Sequence, residues 1–184
     1  RCRLINQDAL TVDFGRLGNQ LRIVGNLPYN IGTPLLFRLL ENVGQIKDIH
    51  VMLQKEVVNR IAAAPGNSAY GRLSVMIQAT SSVEPLFDVS PESFTPAPKV
   101  ESCAIRIIPN ISKRVRIQCM DTLTDLVRQS FGQRRKTLRN NLKNIIGLEE
   151  FDYLEINPQG RPEQLSVDTY IELGNYIARQ RGTV

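Results

Sequence analysis

The 184-residue sequence holds one histidine, three cysteines and no apolar run longer than a few residues. Each shortage removes a class of function. A membrane-spanning helix needs about 20 apolar residues in a row, and nothing here supplies them. No signal-like segment opens the chain. It starts on Arg1 in strand-like sequence rather than on a methionine, so a missing front part is expected. Cys2, Cys103 and Cys119 are an odd set without paired spacing, expected to be reduced, buried and inert. His50 sits inside "DIHVML", where a satisfied core histidine is expected rather than a ligand. Without a Cys or His cluster no metal site is expected. Charged residues make up 22% and hydrophobic ones 42%, a globular rather than a disordered balance. The length allows one large domain, or a medium one with a small appendage.

Charge is what the chain has, and it is unevenly spread. Lys113, Arg114, Arg116, Arg128, Arg134, Arg135, Lys136, Arg139 and Lys143 fall between residues 110 and 147, opposed only by Asp121 and Asp125. That segment carries +7 of a net +5, which leaves −2 for everything else. A basic segment on a near-neutral body points to a polyanionic partner. The alternative is a solvated helix face.

Apolar periodicity gives the organisation. "RCRLINQDALTVDF" reads as a strand ending near Asp8, and "QLRIVGN" as a second strand apolar enough to be covered on both faces. Thr33-Pro34 reads as an N-cap and first-turn proline. The helix it opens has an apolar stripe of Leu35, Leu36, Leu39, Leu40 and Val43, with Gly44 placed to end it. "KDIHVMLQ" reads as a strand, "KEVVNRIAAAP" and "YGRLSVMIQATSS" as helices, and "VEPLFDV" and "VESCAIRIIP" as an antiparallel edge hairpin around "SPESFTPAPK". Strands alternating with helices predict an open α/β sheet with helices on both faces. After Pro109 the pattern turns helical, continuously so through "MDTLTDLVRQSFGQRRKTLRNNLKNIIG", and a last helix opens at Ser166. Two domains are expected: residues 1–109, a partial α/β domain, and residues 110–184, a small all-α basic domain.

The second strand runs into Asn26-Leu27-Pro28-Tyr29. In open α/β sheets ligands bind beyond the carboxyl ends of the strands. Asn26 offers an amide oxygen and Leu27 a carbonyl, Pro28 has no N–H, and Tyr29 brings a flat π-face. Two acceptors beside a ring suit an exocyclic amine on a planar base. Such an amine is a poor nucleophile, because its lone pair is delocalised. Acceptors on both hydrogens draw the nitrogen toward tetrahedral geometry, which is catalysis by position and charge stabilisation. Tyr29 and Phe94 could instead be core aromatics, a reading weakened by their loop settings beside proline, and Asp8 could be a helix cap.

Asn-Leu-Pro-Tyr resembles the catalytic motif of amino-directed methyltransferases that use S-adenosylmethionine. Together with "MLQKEVVNRI", "YGRLSVMIQ", "FTPAPKVES" and "FGQRRKTLRNNL", it resembles the ribosomal RNA adenine N6,N6-dimethyltransferases of the KsgA type. The likeness runs from about residue 5 to the C-terminus. It implies a Rossmann-like class I methyltransferase domain followed by an all-α domain. By this resemblance Asn26, Leu27, Pro28 and Tyr29 are catalytic, and Tyr29 and Phe94 stack on a flipped adenine. Asp8, with Ala9 beside it, would hold the cofactor's adenine amine, and Asn26 would also border the cofactor. Lys99 would lie near the RNA path, and Arg134, Arg135, Lys136, Arg139 and Lys143 would meet rRNA phosphates.

The implied function is dimethylation of two adjacent adenosines near the 3′ end of small-subunit rRNA during ribosome biogenesis. Its partners would be that rRNA and the immature small subunit. The protein would be a cytoplasmic monomer without a metal. A non-catalytic assembly factor binding rRNA through the basic domain is the alternative. The family's glycine-rich Gly-x-Gly-x-Gly loop and the acid for the cofactor ribose are absent from the 184 residues. The chain is therefore expected to begin at the third strand of its sheet, and by itself to bind S-adenosylmethionine poorly and turn over little.

Overall fold

The computed structural model describes residues 2, 4–133 and 135–183. The elements in chain order are β1 (Leu21–Asn26), α1 (Gly32–Leu40), β2 (Ile46–Gln54), α2 (Lys55–Ala62), α3 (Arg72–Gln78), β3 (Ser81–Val89), β4 (Ser102–Pro109), α4 (Ile111–Arg114), α5 (Met120–Ser130), α6 (Leu138–Leu142), α7 (Leu148–Tyr153) and α8 (Val167–Gln180). They form two compact units: Arg1–Val58 with Ser81–Ile111, and Asn59–Thr80 with Ser112–Val184. The second unit draws in residues 59–80, which the sequence reading kept with the first part.

In the first unit the strands form one mixed sheet in the order β1-β2-β4-β3. β1 runs parallel to β2, while β4 is antiparallel to both β2 and β3. Alternation explains which face is buried: Ile49, Val51 and Leu53 on β2 and Ile105 and Ile107 on β4 are almost fully covered. The start of α1 lies on that face, where a side chain at Gly32 would come within 2.7 Å of Leu53 Cδ2. Leu35, Leu36, Leu39 and Leu40 supply the helix's buried stripe, but the helix stops at Leu40, so Val43 and Gly44 lie in the turn beyond it and not in the stripe and at its end. The opposite row carries half-exposed His50, Met52, Ala104 and Arg106, and β1 ends one edge of the sheet.

Several expectations are corrected here. Val24 is 73% exposed, so β1 is not covered on both faces within the described residues. Residues 4–8 form no strand, because no neighbouring strand pairs with them; Asp8 instead caps a 3-10 turn at Ala9–Thr11. Thr33 is not the cap of α1, since the helix begins one residue earlier and the Pro28 carbonyl accepts from the Ile31 and Gly32 N–H groups. Cys103 is buried, but Cys2 is exposed and Cys119 only half-buried. His50 is half-buried rather than a satisfied core residue: its Nδ1 makes no hydrogen bond and lies 3.5 Å from Asp48 Oδ1.

The second unit is helical. α5 and α8 pack closely at Gly174, where an added side chain would meet Leu123 Cδ1 at 3.3 Å. α3 packs on both of these helices and buries Val75, Met76 and Ile77. That apolar face accounts for residues 59–80 joining this unit. Tyr170, fully buried on α8, donates its hydroxyl to the Pro162 carbonyl and lies 5.9 Å from the Phe131 ring. Ser166 caps α8 as expected. The segment from α5 to α6 is not continuously helical. Gly132 follows the end of α5, and Thr137 caps a separate α6 with its hydroxyl on the Asn140 N–H. The expected basic helix is thus split: Arg135 and Lys136 lie in the connecting turn, Arg139 in α6 and Lys143 at its C-cap. Arg134 lies outside the described residues.

Candidate active site

Strand register brings the motifs of the first unit to one end of the sheet. Asn26 is the last residue of β1 and pairs with Met52 of β2. Two residues on, Gln54 ends β2 opposite Ser102, the first residue of β4, which is in turn opposite Val89, the last of β3. The Asn26–Tyr29 turn and the 90–101 loop bearing Phe94 and Lys99 therefore leave the sheet from the same end. This is the carboxyl end of three of its four strands, where open α/β sheets bind ligands.

The turn is built to present polar groups outward. Leu27 is 7% exposed and its N–H donates to the Met52 carbonyl, which ties the turn to the sheet. Asn26, Pro28 and Tyr29 are exposed. No described residue hydrogen-bonds the Asn26 side-chain amide, so its oxygen is available to a ligand. The Tyr29 hydroxyl lies 2.8 Å from Ser102 Oγ. Phe94 is half-buried, and Lys99 is exposed in the same loop.

Lys55, the first residue of α2, closes the base of that loop. Its Nζ is 2.9 Å from Asp88 and 2.8 Å from Glu101, and its backbone N–H donates to the Glu101 carbonyl. Hydrogen bonds to Glu101 and Asp88 raise the Lys55 ammonium above the ordinary lysine range. The bond to Lys55 holds the Asp88 carboxyl below its ordinary range. Sequence reasoning assigned no role to Lys55, Asp88, Glu101 or Ser102. For Lys55, Glu101 and Ser102 the signal was position: two of the quoted blocks, "MLQKEVVNRI" and "FTPAPKVES", reach strand ends that the register makes adjacent, while Asp88 lies in neither.

Asp8 is exposed, and its Oδ1 accepts from the Leu10 N–H at 3.0 Å, which engages one carboxylate oxygen and leaves the other. Ala9 beside it is half-buried. The turn they form packs on α1. Among the described residues no group of three or more His, Cys, Asp or Glu side chains could hold a metal ion.

In the second unit Arg135, Lys136, Arg139 and Lys143 are all exposed. No carboxylate pairs with any of them among the described residues, whereas Arg116 pairs with Asp168, Arg128 with Asp125 and Arg161 with Glu163. No described helix is long and apolar enough to cross a membrane.

A ribosomal RNA small subunit methyltransferase A of Legionella pneumophila is 52% identical over 178 residues, covering 97% of this chain and 70% of that protein. The protein of the same name from a Marinomonas species is 49% identical, covering 95% and 67%. Among solved structures, a dimethyladenosine transferase from Plasmodium falciparum superposes with a TM-score of 0.82 at 24% identity, over 97% of this chain and 72% of that one. That likeness establishes the Rossmann-like methyltransferase fold. The profile of the ribosomal RNA adenine dimethylases matches residues 1–179, and with relatives near 50% identity across nearly its whole length the chain belongs to that family.

Proposed function

We propose that the protein dimethylates the N6 amines of two adjacent adenosines near the 3′ end of small-subunit rRNA during ribosome assembly. The observation that carries this reading is the unpaired Asn26 amide at the tip of β1, beside a Tyr29 ring held at its hydroxyl. An enzyme acting on a base must first take it out of its stack. The extruded adenine is sandwiched by Tyr29 and Phe94, with ring stacking worth about 1–3 kcal/mol per base. Asn26 Oδ1 and the Leu27 carbonyl accept its two N6 hydrogens. They draw the nitrogen toward tetrahedral geometry, which frees its lone pair and stabilises the positive charge that develops on it. Pro28 contributes no competing N–H, and its own carbonyl is committed to the start of α1. No strong base is needed, because the alkylated nitrogen sheds its proton readily.

S-adenosylmethionine, the methyl donor, supplies an electrophilic methyl group on a sulfonium. The residues that would hold its adenine end are Asp8, whose second carboxylate oxygen is left to accept from the adenine amine, and Ala9 alongside. They do not fit its ribose and methionine, for which neither a glycine-rich loop nor a ribose-binding acid is found in the 184 residues. No metal takes part in this reading.

Lys99, Arg135, Lys136, Arg139 and Lys143, with Arg134, contact rRNA phosphates, which position without reading sequence. The partner is the immature small subunit, and the protein acts as a cytoplasmic monomer. The test incubates the longest protein the gene encodes with labelled S-adenosylmethionine and unmethylated small subunits, then maps the label. Two neighbouring dimethyladenosines near the 3′ end are expected. Tight subunit binding without label would instead establish a non-catalytic assembly factor.

A further inference from the structure

We infer that Ser102 is a positioning residue that fixes the plane of the Tyr29 ring, an inference that rests on the function proposed above. A tyrosine side chain turns about two torsions, and one on an exposed turn samples several rotamers. Tyr29 is 40% exposed, so packing alone does not hold it. Its backbone is held by the buried Leu27 side chain on one side and the Pro28 carbonyl bonds into α1 on the other. Its far end is held by the 2.8 Å contact with Ser102 Oγ. Ser102 is a rigid anchor: fully buried, with the shortest of hydroxyl side chains, and in register with both Gln54 of β2 and Val89 of β3.

The hydroxyl itself is the informative feature. Stacking needs only a π-face, which phenylalanine offers equally, and a tyrosine used for packing would be covered. A hydroxyl bound to a buried partner, on a ring that stays exposed, secures orientation. Pre-organisation of this kind raises the fraction of bound bases that sit in reactive geometry. It leaves subunit binding, assigned above to the phosphate contacts, unchanged.

The experiment is a double-substitution cycle on the longest protein the gene encodes: Ser102→Ala, Tyr29→Phe and the two combined, each assayed for methylation of unmethylated small subunits with melting temperature recorded. Each single substitution is expected to lower kcat about tenfold with KM for the subunit unchanged. The pair is expected to lose about tenfold, not a hundredfold, because both remove one shared contact. Ser102→Thr, which keeps the hydroxyl, is expected to retain more activity than Ser102→Ala. A kcat for Ser102→Ala equal to the unmodified protein's, or multiplicative losses in the pair, would overturn the inference while leaving the function intact. No dimethyladenosine from the unmodified protein would overturn the function and this inference with it.

Discussion

The Lys55 ammonium stands 2.8 Å from the Glu101 carboxylate, and the same ammonium reaches Asp88 at 2.9 Å. Asp88 is the penultimate residue of β3 and Glu101 immediately precedes β4. One cation thus ties both ends of the loop that carries Phe94. Lys55→Met is expected to lower methylation about tenfold by loosening that loop. Melting temperature should barely move, since exposed ion pairs contribute little to stability.

The same clamp has a defined pH range. The Asp88 pKa is depressed in the fold, so its contribution is present above the ordinary carboxylate range and is lost as pH falls through the depressed value. The Lys55 pKa is raised, so its contribution is complete below the ordinary lysine range and is lost only as pH rises through the raised value. Hydrogen-exchange protection in residues 90–101 should be flat across neutral pH and fall in acid, and Lys55→Met should abolish the acid step.

Arg22 grips the nearly buried Asp48 through two bonds of 2.8 Å, and this holds the Asp48 carboxyl below its ordinary range. Such fork-to-carboxylate pairs are the stronger kind. Arg22→Met strands the carboxylate and should lower the melting temperature at neutral pH. The gap from the unmodified protein should close as pH falls and Asp48 protonates, because protonation ends the pair in the unmodified protein and removes the unpaired buried charge in the variant. A gap that stays constant with pH would contradict this account of the pair.

In the helical unit, Tyr170→Phe removes the hydroxyl that donates to the Pro162 carbonyl, which keeps the Leu165 N–H at 3.3 Å. The expected cost is about 0.5–1.5 kcal/mol, read from urea unfolding. Burial pushes the Tyr170 hydroxyl far above the ordinary tyrosine range. The unmodified protein should therefore lose stability as pH rises past the ordinary tyrosine range, and Tyr170→Phe should lose less.

Replacing Arg135, Lys136, Arg139 and Lys143 together with alanine should weaken subunit binding and leave kcat at saturating subunit unchanged. Each lost phosphate contact lowers the slope of log affinity against log salt by about 0.7–0.9, so a fall of about 3 is expected. An unchanged slope would assign these residues to a merely solvated face.

What the sequence made legible follows from the range of the interactions. β2 and β4 alternate cleanly, and the leucine stripe of α1 repeats at helical spacing, so both could be read locally. β1 was misjudged because its composition shows apolarity but not what lies beside it, and Val24 is exposed. Residues 4–8 carry strand-like residues, yet a strand exists only where a partner pairs with it. Thr33 looked like a cap, but the carbonyl of Pro28, five residues earlier, took that role. Gly132 and Thr137 carried the signal for the break between α5 and α6, but the helical periodicity on either side masked it. The Asn26–Tyr29 turn was readable because four adjacent residues hold its chemistry. Its supports were not: Ser102 lies 73 residues from Tyr29, and Glu101 lies 46 from Lys55.

The most direct test of the central claim is Asn26→Ala in the longest protein the gene encodes, assayed for dimethyladenosine in small-subunit rRNA. Asn26 is exposed and its amide is unpaired, so the fold should survive, with stability within about 0.5 kcal/mol. The account predicts at least a hundredfold loss of product, as for removal of a single group that stabilises developing charge, with subunit binding retained. Dimethyladenosine formed at the unmodified rate would mean that the amide does not hold the reacting nitrogen, and the account would fail at its centre.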